Sequence, residues 1–249
     1  MRVTLAVTKA TQNKGKNLEA MLEQIREAAR HKASLVLFGE AAPTGLINND
    51  DPVRDVVIAE PIPGPTIDAL ARSARDAGIY VASGILEKAG NCLYDAAVLI
   101  NRRGRVVSKY RRISPGWHGG NADSSVYRRG ESIPRVETPL GSFAFSICGD
   151  LFDETLVNQV RSLNVDWLLF PFARCFDDGS YDQRRWDQDE KGEYARYAAK
   201  ARAVCLMVNY LSEKELAGGS FGAGMVVGRD GSILAEMPLG KQGLLLVDA

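Results

Sequence analysis

"GSFAFSICGDLFDETLVNQVRSLNVDWLLFPFA", residues 141–173, decides the fold class. GSFAFSIC reads as a strand that stops at a thiol, Cys148, with Gly149 and Asp150 directly behind it. DETLVNQVRSLN has helical spacing and begins at Asp153, a residue type whose side-chain oxygen caps helix N-termini. VDWLLFPFA is a continuous apolar run, as expected of a strand buried on both faces. Strand, helix and strand in succession form the building unit of α/β proteins. The thiol where the first strand meets its turn could be core filler, half of a disulfide, a metal ligand or a nucleophile.

The same alternation extends in both directions. Upstream, RVTLAVT (2–8) reads as a strand, and KNLEAMLEQIREAAR follows with Leu18, Met21, Leu22, Ile25, Ala28 and Ala29 on one helical face. ASLVLFGE (33–40) is a short buried strand, TIDALARSARDAG a helix capped by Gly78, and IYVASGIL another strand. NCLYDAAVLI and VVSKYRR are two strands joined by the turn NRRGR. The stretch 114–132 is irregular and long enough to be functional. Downstream come a helix (EKGEYARYAAKARAVC), a strand (LMVNYL), a hairpin turning at Arg229-Asp230-Gly231 and a closing strand, LLLVDA. Each half alternates helices with strands and adds hairpins, which predicts two mixed sheets packed face to face with helices outside. This is a four-layer α-β-β-α sandwich in a single domain over residues 1–249, with no linker-like segment to divide it.

Composition narrows the function classes. Of 249 residues, 45% are hydrophobic and 25% charged, as in soluble globular proteins. Lys plus Arg (31) balance Asp plus Glu (31), so no global field favours nucleic acid or an anionic membrane. The opening MRVTLAVTKATQNKGKN alternates apolar with polar residues, unlike a signal peptide, and no apolar run reaches the roughly 18 residues of a membrane span. A cytosolic protein is expected. Cys92, Cys148, Cys175 and Cys205 form no CxxC pair, and neither histidine, His31 or His118, stands near a cysteine in sequence. A disulfide framework and a zinc site both lack support.

Ligands in open α/β folds collect at the carboxyl ends of strands. Three reactive residues stand there: Glu40 after LVLFG, Arg112 after VVSKYR, and Cys148 after FAFSI. Each also has an ordinary reading. A lone cysteine in an apolar strand is usually packing, the glutamate could pair with a structural arginine, and Arg112 could belong to a solvated basic hairpin. Taken together they suffice for acyl transfer without histidine. A carboxylate with a raised pKa can accept the thiol proton, the thiolate can attack, and a fixed cation can hold the oxyanion.

Several ordered blocks resemble the nitrilase or carbon-nitrogen hydrolase superfamily. They are LVLFGEAAPTGL (35–46), EPIPGPT (60–66), LYDAAVLINRRGRVVSKYRRISPGW (93–117), GSFAFSICGDLFDE (141–154), LLFPFA (168–173), KARAVCLMVNY (200–210) and SFGAGMVVGRDGSILAE (220–236). The resemblance implies Glu40 as general base and Cys148 as nucleophile. The family's lysine position, the last of a KYRK-like string, holds Arg112. Arginine keeps the charge and can donate to an oxyanion, but it is longer, forked and does not release its proton. Lys109, three residues back along a strand, belongs on the opposite face. Gly149 stands where many members carry a bulkier residue, and Asp123 is the nearest acid after the glycines of the following loop. With Phe172 and Ala173, these two are the expected substrate-pocket residues. Trp117, Tyr127, Phe176, Tyr181 and Trp186 could line a pocket, an interface or plain packing, and the polar tract 174–193 could form a lid.

The resemblance thus implies a cysteine-dependent hydrolase of a small non-peptide C–N bond, an amide rather than a nitrile, acting through a thioester. It implies no metal or organic cofactor, a small-molecule amide substrate, no nucleic-acid or membrane partner, and a homodimer or larger homo-oligomer. The alternative is a catalytically impaired relative that binds a ligand or partner, motivated by arginine at the lysine position.

Overall fold

The computed structural model describes residues 1–46, 48–213, 216 and 220–248. Its first sheet contains β1 (Arg2–Val7), β3 (Leu35–Phe38), β4 (Tyr80–Ala89), β5 (Cys92–Ile100), β6 (Val106–Arg111) and β14 (Gly243–Asp248), in the order β14-β1-β3-β4-β5-β6. The second contains β7 (Val136–Thr138), β8 (Gly141–Phe145), β9 (Trp167–Phe172), β10 (Val204–Asn209), β12 (Gly224–Val227) and β13 (Ile233–Met237), in the order β13-β12-β10-β9-β8-β7. The short β2 (Lys9–Ala10) and β11 (Leu211–Ser212) pair in parallel.

Strand periodicity assigns the layers. Val3, Leu5, Val7, Leu35 and Leu37 point from the first sheet into one buried cluster with Phe143, Phe145 and Leu169 of the second. Their alternates Ala6, Val36 and Phe38 face the other way, onto Met21 and Ile25 of α1 (Lys14–Arg30) and Ile67 and Leu70 of α3 (Pro65–Ala77). On the outer face of the second sheet, α4 (Glu154–Ser162) contributes Leu156, Val157 and Val160, and α6 (Lys191–Lys200) contributes Ala195 and Ala198. The result is the expected α-β-β-α sandwich of two mixed sheets.

Helix ends follow the sequence signals. Asp153 caps α4 by accepting from the N–H groups of Thr155 and Leu156. Gly78 ends α3 in the left-handed conformation at φ 69°. Burying one large side chain such as Met21 or Ile25 is worth ~1.5–3 kcal/mol, against about 1 kcal/mol for a cap, so packing holds these helices and the caps set their boundaries.

Strand polarity gathers the site. β3 and β4 run parallel, and β5 is antiparallel both to β4 and to β6. The carboxyl end of β6 therefore lies at the same end of the sheet as that of β3. In the second sheet β8, β9 and β10 run parallel.

Several boundaries differ from expectation. The strand expected to run to Cys148 ends at Phe145, because Cys148 has φ 45° and opens a 3-10 turn over Cys148–Phe152. The helix expected to extend through Cys205 covers Lys191–Lys200, after a π-turn at Trp186–Glu190; Arg202, at φ 55°, breaks it and Val204 already lies in β10. A further helix, α2 (Pro52–Ile58), lies between β3 and α3. The closing strand ends at Asp248, and Ala249 lies outside the described residues. Among the described residues no helix is long and apolar enough to cross a membrane.

Candidate active site

Glu40 sits two residues beyond the end of β3 and is fully buried. Its backbone lies against Gly84 of β4, where a Cβ would come within 2.6 Å of the Glu40 Cα. Gly84 N–H also bonds the Gly39 carbonyl at 3.1 Å. Glycine inside a strand commonly marks such a close backbone approach.

Arg112 follows the last residue of β6, and the pleat decides its direction. Ser108, Tyr110 and Arg112 are buried on one face, while Lys109 and Arg111 reach the other and clamp Glu87, at 2.8 Å from Lys109 Nζ and 2.7 Å from Arg111 Nε. Arg112 is only 4% exposed. Its Nη1 donates to Glu40 Oε1 at 3.0 Å and approaches Asp95 Oδ2 at 3.5 Å. Nε donates to Ser114 Oγ at 3.0 Å and Nη2 to the Pro115 carbonyl at 2.9 Å.

Cys148 is half-buried, with Sγ 3.6 Å from the Ala173 carbonyl oxygen. Its positive φ is unusual for a residue with a side chain, and such conformations persist where the surroundings impose them. Here Asp150 braces the turn. Buried Asp150 accepts from Ile147 N–H at 2.8 Å, Ser114 N–H at 2.7 Å, Ile113 N–H at 3.2 Å and Tyr110 Oη at 2.6 Å. One carboxylate thereby ties the turn carrying Cys148 to the segment leaving Arg112.

The electrostatics follow from crowding in a dry place. Burial first, and then the neighbouring Cys148, push the Glu40 carboxyl up to about 8, although Arg112 pulls the other way. Burial and the adjacent Glu40 hold Asp95 well above the usual carboxylate range. Burial works against the charge of Arg112, but the surrounding groups, Glu40 foremost, more than restore it and keep its pKa above the ordinary value. Burial also pushes up the thiols of Cys205 and Cys175, and all four cysteines are free.

Glu40, Arg112 and Cys148 thus come together, as expected for three residues distant in sequence. Gly149 and Ala173 adjoin them: a Cβ on Gly149 would meet Arg112 Nη2 at 2.6 Å. Phe172 is buried, its ring 5.3 Å from that of Tyr194. Asp123 is exposed and accepts from Ser125 N–H at 2.8 Å and from the Ser125 hydroxyl at 2.7 Å within its own turn. Trp117, Tyr127, Phe176 and Trp186 are buried in packing, whereas Tyr181 is exposed. In the tract 174–193, Arg174 pairs with Glu190.

Sequence reading passed over Asp95, Ser114, Asp150 and Tyr194. Asp95 and Asp150 carried a usable signal, since each is an acid beside or within an apolar run, where an unpaired charge is costly. Among the described residues no three His, Cys, Asp or Glu side chains are arranged to hold a metal ion.

Comparison with known proteins bears on the family and the fold. The family model described as carbon-nitrogen hydrolase matches residues 4–249. Deaminated glutathione amidase of Mus musculus is 28% identical over 184 residues, covering 69% of this chain and 56% of that protein. A nitrilase of Pyrococcus abyssi (strain GE5 / Orsay) is 38% identical over 99 residues, covering 39% of this chain and 37% of that one. The chain spans little more than half the length of the mouse amidase it matches. Among solved structures, an amidase from Nesterenkonia sp. superposes with a TM-score of 0.80 at 19% identity, covering 100% of this chain and 90% of that one. A variant of it showing Michael addition of acrylamide at the active-site cysteine gives 0.81, also at 19% identity, covering 100% and 93%. At such identity the likeness establishes the fold.

Proposed function

The chain belongs to the carbon-nitrogen hydrolase family, and from that premise we propose that it hydrolyses a small non-peptide amide through a thioester on Cys148. The observation that carries this reading is the buried contact of Glu40 with Arg112, 3.0 Å apart, beside the half-buried Cys148 thiol.

Glu40 is the general base. Burial raises its carboxyl to about 8, so its ionised form is a stronger base than an exposed carboxylate and is suited to take the thiol proton. As the Cys148 sulfur bonds to the carbonyl carbon, its proton passes to Glu40 and the carbonyl π pair moves to oxygen. Arg112 opposes the developing negative charge. Its guanidinium has five N–H donors. Four face Glu40, Asp95, Ser114 and Pro115, which leaves one, on Nη2, at the edge beside Gly149. That N–H and a backbone N–H near Gly149 hold the oxyanion. The C–N bond then breaks, and the amine leaves with the Glu40 proton. Water, deprotonated by the same carboxylate, attacks the thioester, the C–S bond breaks and the thiol is restored. An amide is favoured over a nitrile because amidases recur among the similar proteins in sequence and in fold.

Ammonia release from short aliphatic amides tests this. Wild type turns over, and Cys148→Ala abolishes the reaction. Turnover that survives Cys148→Ala overturns the mechanism. The direct Arg112–Glu40 bond supports a second reading, an impaired relative that binds its ligand without turnover, since a fixed guanidinium competes for the base. Arg112→Lys separates the two: it lowers existing activity under the first reading and creates activity under the second.

A further inference from the structure

Asp95 lies in the middle of β5, opposite Arg112 across the hairpin, and accepts the Arg112 N–H through its own carbonyl at 2.8 Å. Its side chain is fully buried and shares Arg112 Nη1 with Glu40. Two carboxyls therefore meet one guanidinium out of water. With both ionised the trio would carry a net negative charge, and two adjacent carboxylates in such a place do not both ionise readily. The oxygens supply a second observation. Glu40 Oε2 and Asp95 Oδ1 are both buried, and neither has a donor among the described residues. Buried polar atoms are satisfied in nearly all native structures, and a proton kept on one of the two carboxyls supplies a donor that this buried pair lacks.

We propose that Asp95 is a positioning residue that keeps its proton, donates it as an O–H bond to Glu40, and so holds the base between Arg112 and Cys148. This rests on the amidase reading above and deepens it. The donated bond stabilises ionised Glu40, while burial of Asp95 holds its proton in place. The groups facing this pair are Tyr110 from β6, Arg112 directly after it, Cys148 and Asp150 from the turn after β8, Tyr194 from α6, and Tyr210 from the segment after β10. Of these only Arg112 is a cation. The proton on Asp95 leaves one positive and one negative charge in the trio when Glu40 acts as base.

The test compares Asp95→Asn with Asp95→Ala. Asparagine supplies an N–H donor without charge, whereas alanine supplies nothing. Asp95→Asn is expected to keep at least about a third of the wild-type kcat/KM. Asp95→Ala is expected to lose at least about thirtyfold, with the acid limb of its pH profile moved upward because ionised Glu40 has lost its donor. An ionised Asp95 serving only as a salt-bridge partner gives the opposite result: asparagine and alanine fail alike, which overturns the proposal. A merely structural Asp95 leaves the acid limb where it was in both variants, which also overturns it. Infrared difference spectroscopy provides an arm that needs no turnover. Above the pH at which Glu40 ionises, about 8, wild type still shows the carbonyl band of a buried protonated carboxyl, and Asp95→Asn removes it. Absence of that band in wild type, or its persistence in Asp95→Asn, refutes the assignment whether or not the protein hydrolyses amides.

Discussion

Gly149 leaves the space that Arg112 fills: a Cβ on residue 149 would sit 2.6 Å from Arg112 Nη2 and 2.9 Å from Ser114 Oγ. Arg112 and Gly149, the two residues read from the sequence as departures from the family pattern, thus fit one another in space. The longer, forked cation is seated by Ser114, Pro115, Glu40 and Asp95, and the missing side chain next to the thiol makes the seat possible.

A double-mutant cycle reads this pairing. Gly149→Ala should lower kcat/KM by at least about tenfold, since the new methyl displaces a buried guanidinium. In the Arg112→Lys background the same methyl meets a shorter side chain and should cost far less. Contacting residues typically couple by 0.5–3 kcal/mol. Strictly additive effects on kcat/KM would mean that the two positions changed independently.

Asp150 holds the turn of Cys148 against the segment after Arg112 through three backbone N–H groups and the Tyr110 hydroxyl. Hydrogen bonds to a charged group contribute ~1.5–3 kcal/mol each, and orphaning buried donors adds to the loss. Asp150→Ala should destabilise the fold by more than about 3 kcal/mol in denaturant unfolding. A loss below about 1 kcal/mol would show that the turn is held by other contacts.

The raised carboxyl of Glu40 has a consequence for stability. Its folded value, about 8, exceeds the unfolded value of ~4.3, so between these limits the folded state binds more protons than the unfolded chain. Stability from this group is complete below pH ~4.3 and falls as pH rises through about 8. Glu40→Gln, which cannot ionise, should become progressively more stable than wild type over that window, by an amount on the order of a few kcal/mol. Parallel stability curves would show that Glu40 ionises normally.

Lys109 tests the strand-face assignment. Its ammonium lies on Glu87, on the face of β6 away from Arg112. Lys109→Met should change amide hydrolysis by less than about twofold and stability by about 1 kcal/mol or less, as befits a half-exposed ion pair whose acid retains Arg111. A hundredfold loss of activity would mean that Lys109, and not Arg112, serves the reaction.

Much of the fold was legible because periodicity is a direct imprint of burial. Leu35 and Leu37 face one layer and Val36 and Phe38 the next, and Asp153 and Gly78 mark helix ends by their own chemistry. Glu40, Arg112 and Cys148 could be picked out because reactive groups at strand ends are conspicuous. What escaped were partners defined only in three dimensions. Asp95 matters because β5 sets it opposite Arg112, and Asp150 because its turn folds back on residues 113 and 114.

The central claim is a covalent acyl-enzyme on Cys148. Acid-quenched mass spectrometry during turnover of a short aliphatic amide, or of an ester of the same acid that acylates faster, measures it directly. The account predicts an added acyl mass on the peptide containing Cys148, lost on treatment with hydroxylamine, with Cys92, Cys175 and Cys205 unmodified. Product release with no adduct on Cys148, or acyl mass spread equally over the other cysteines, would contradict it.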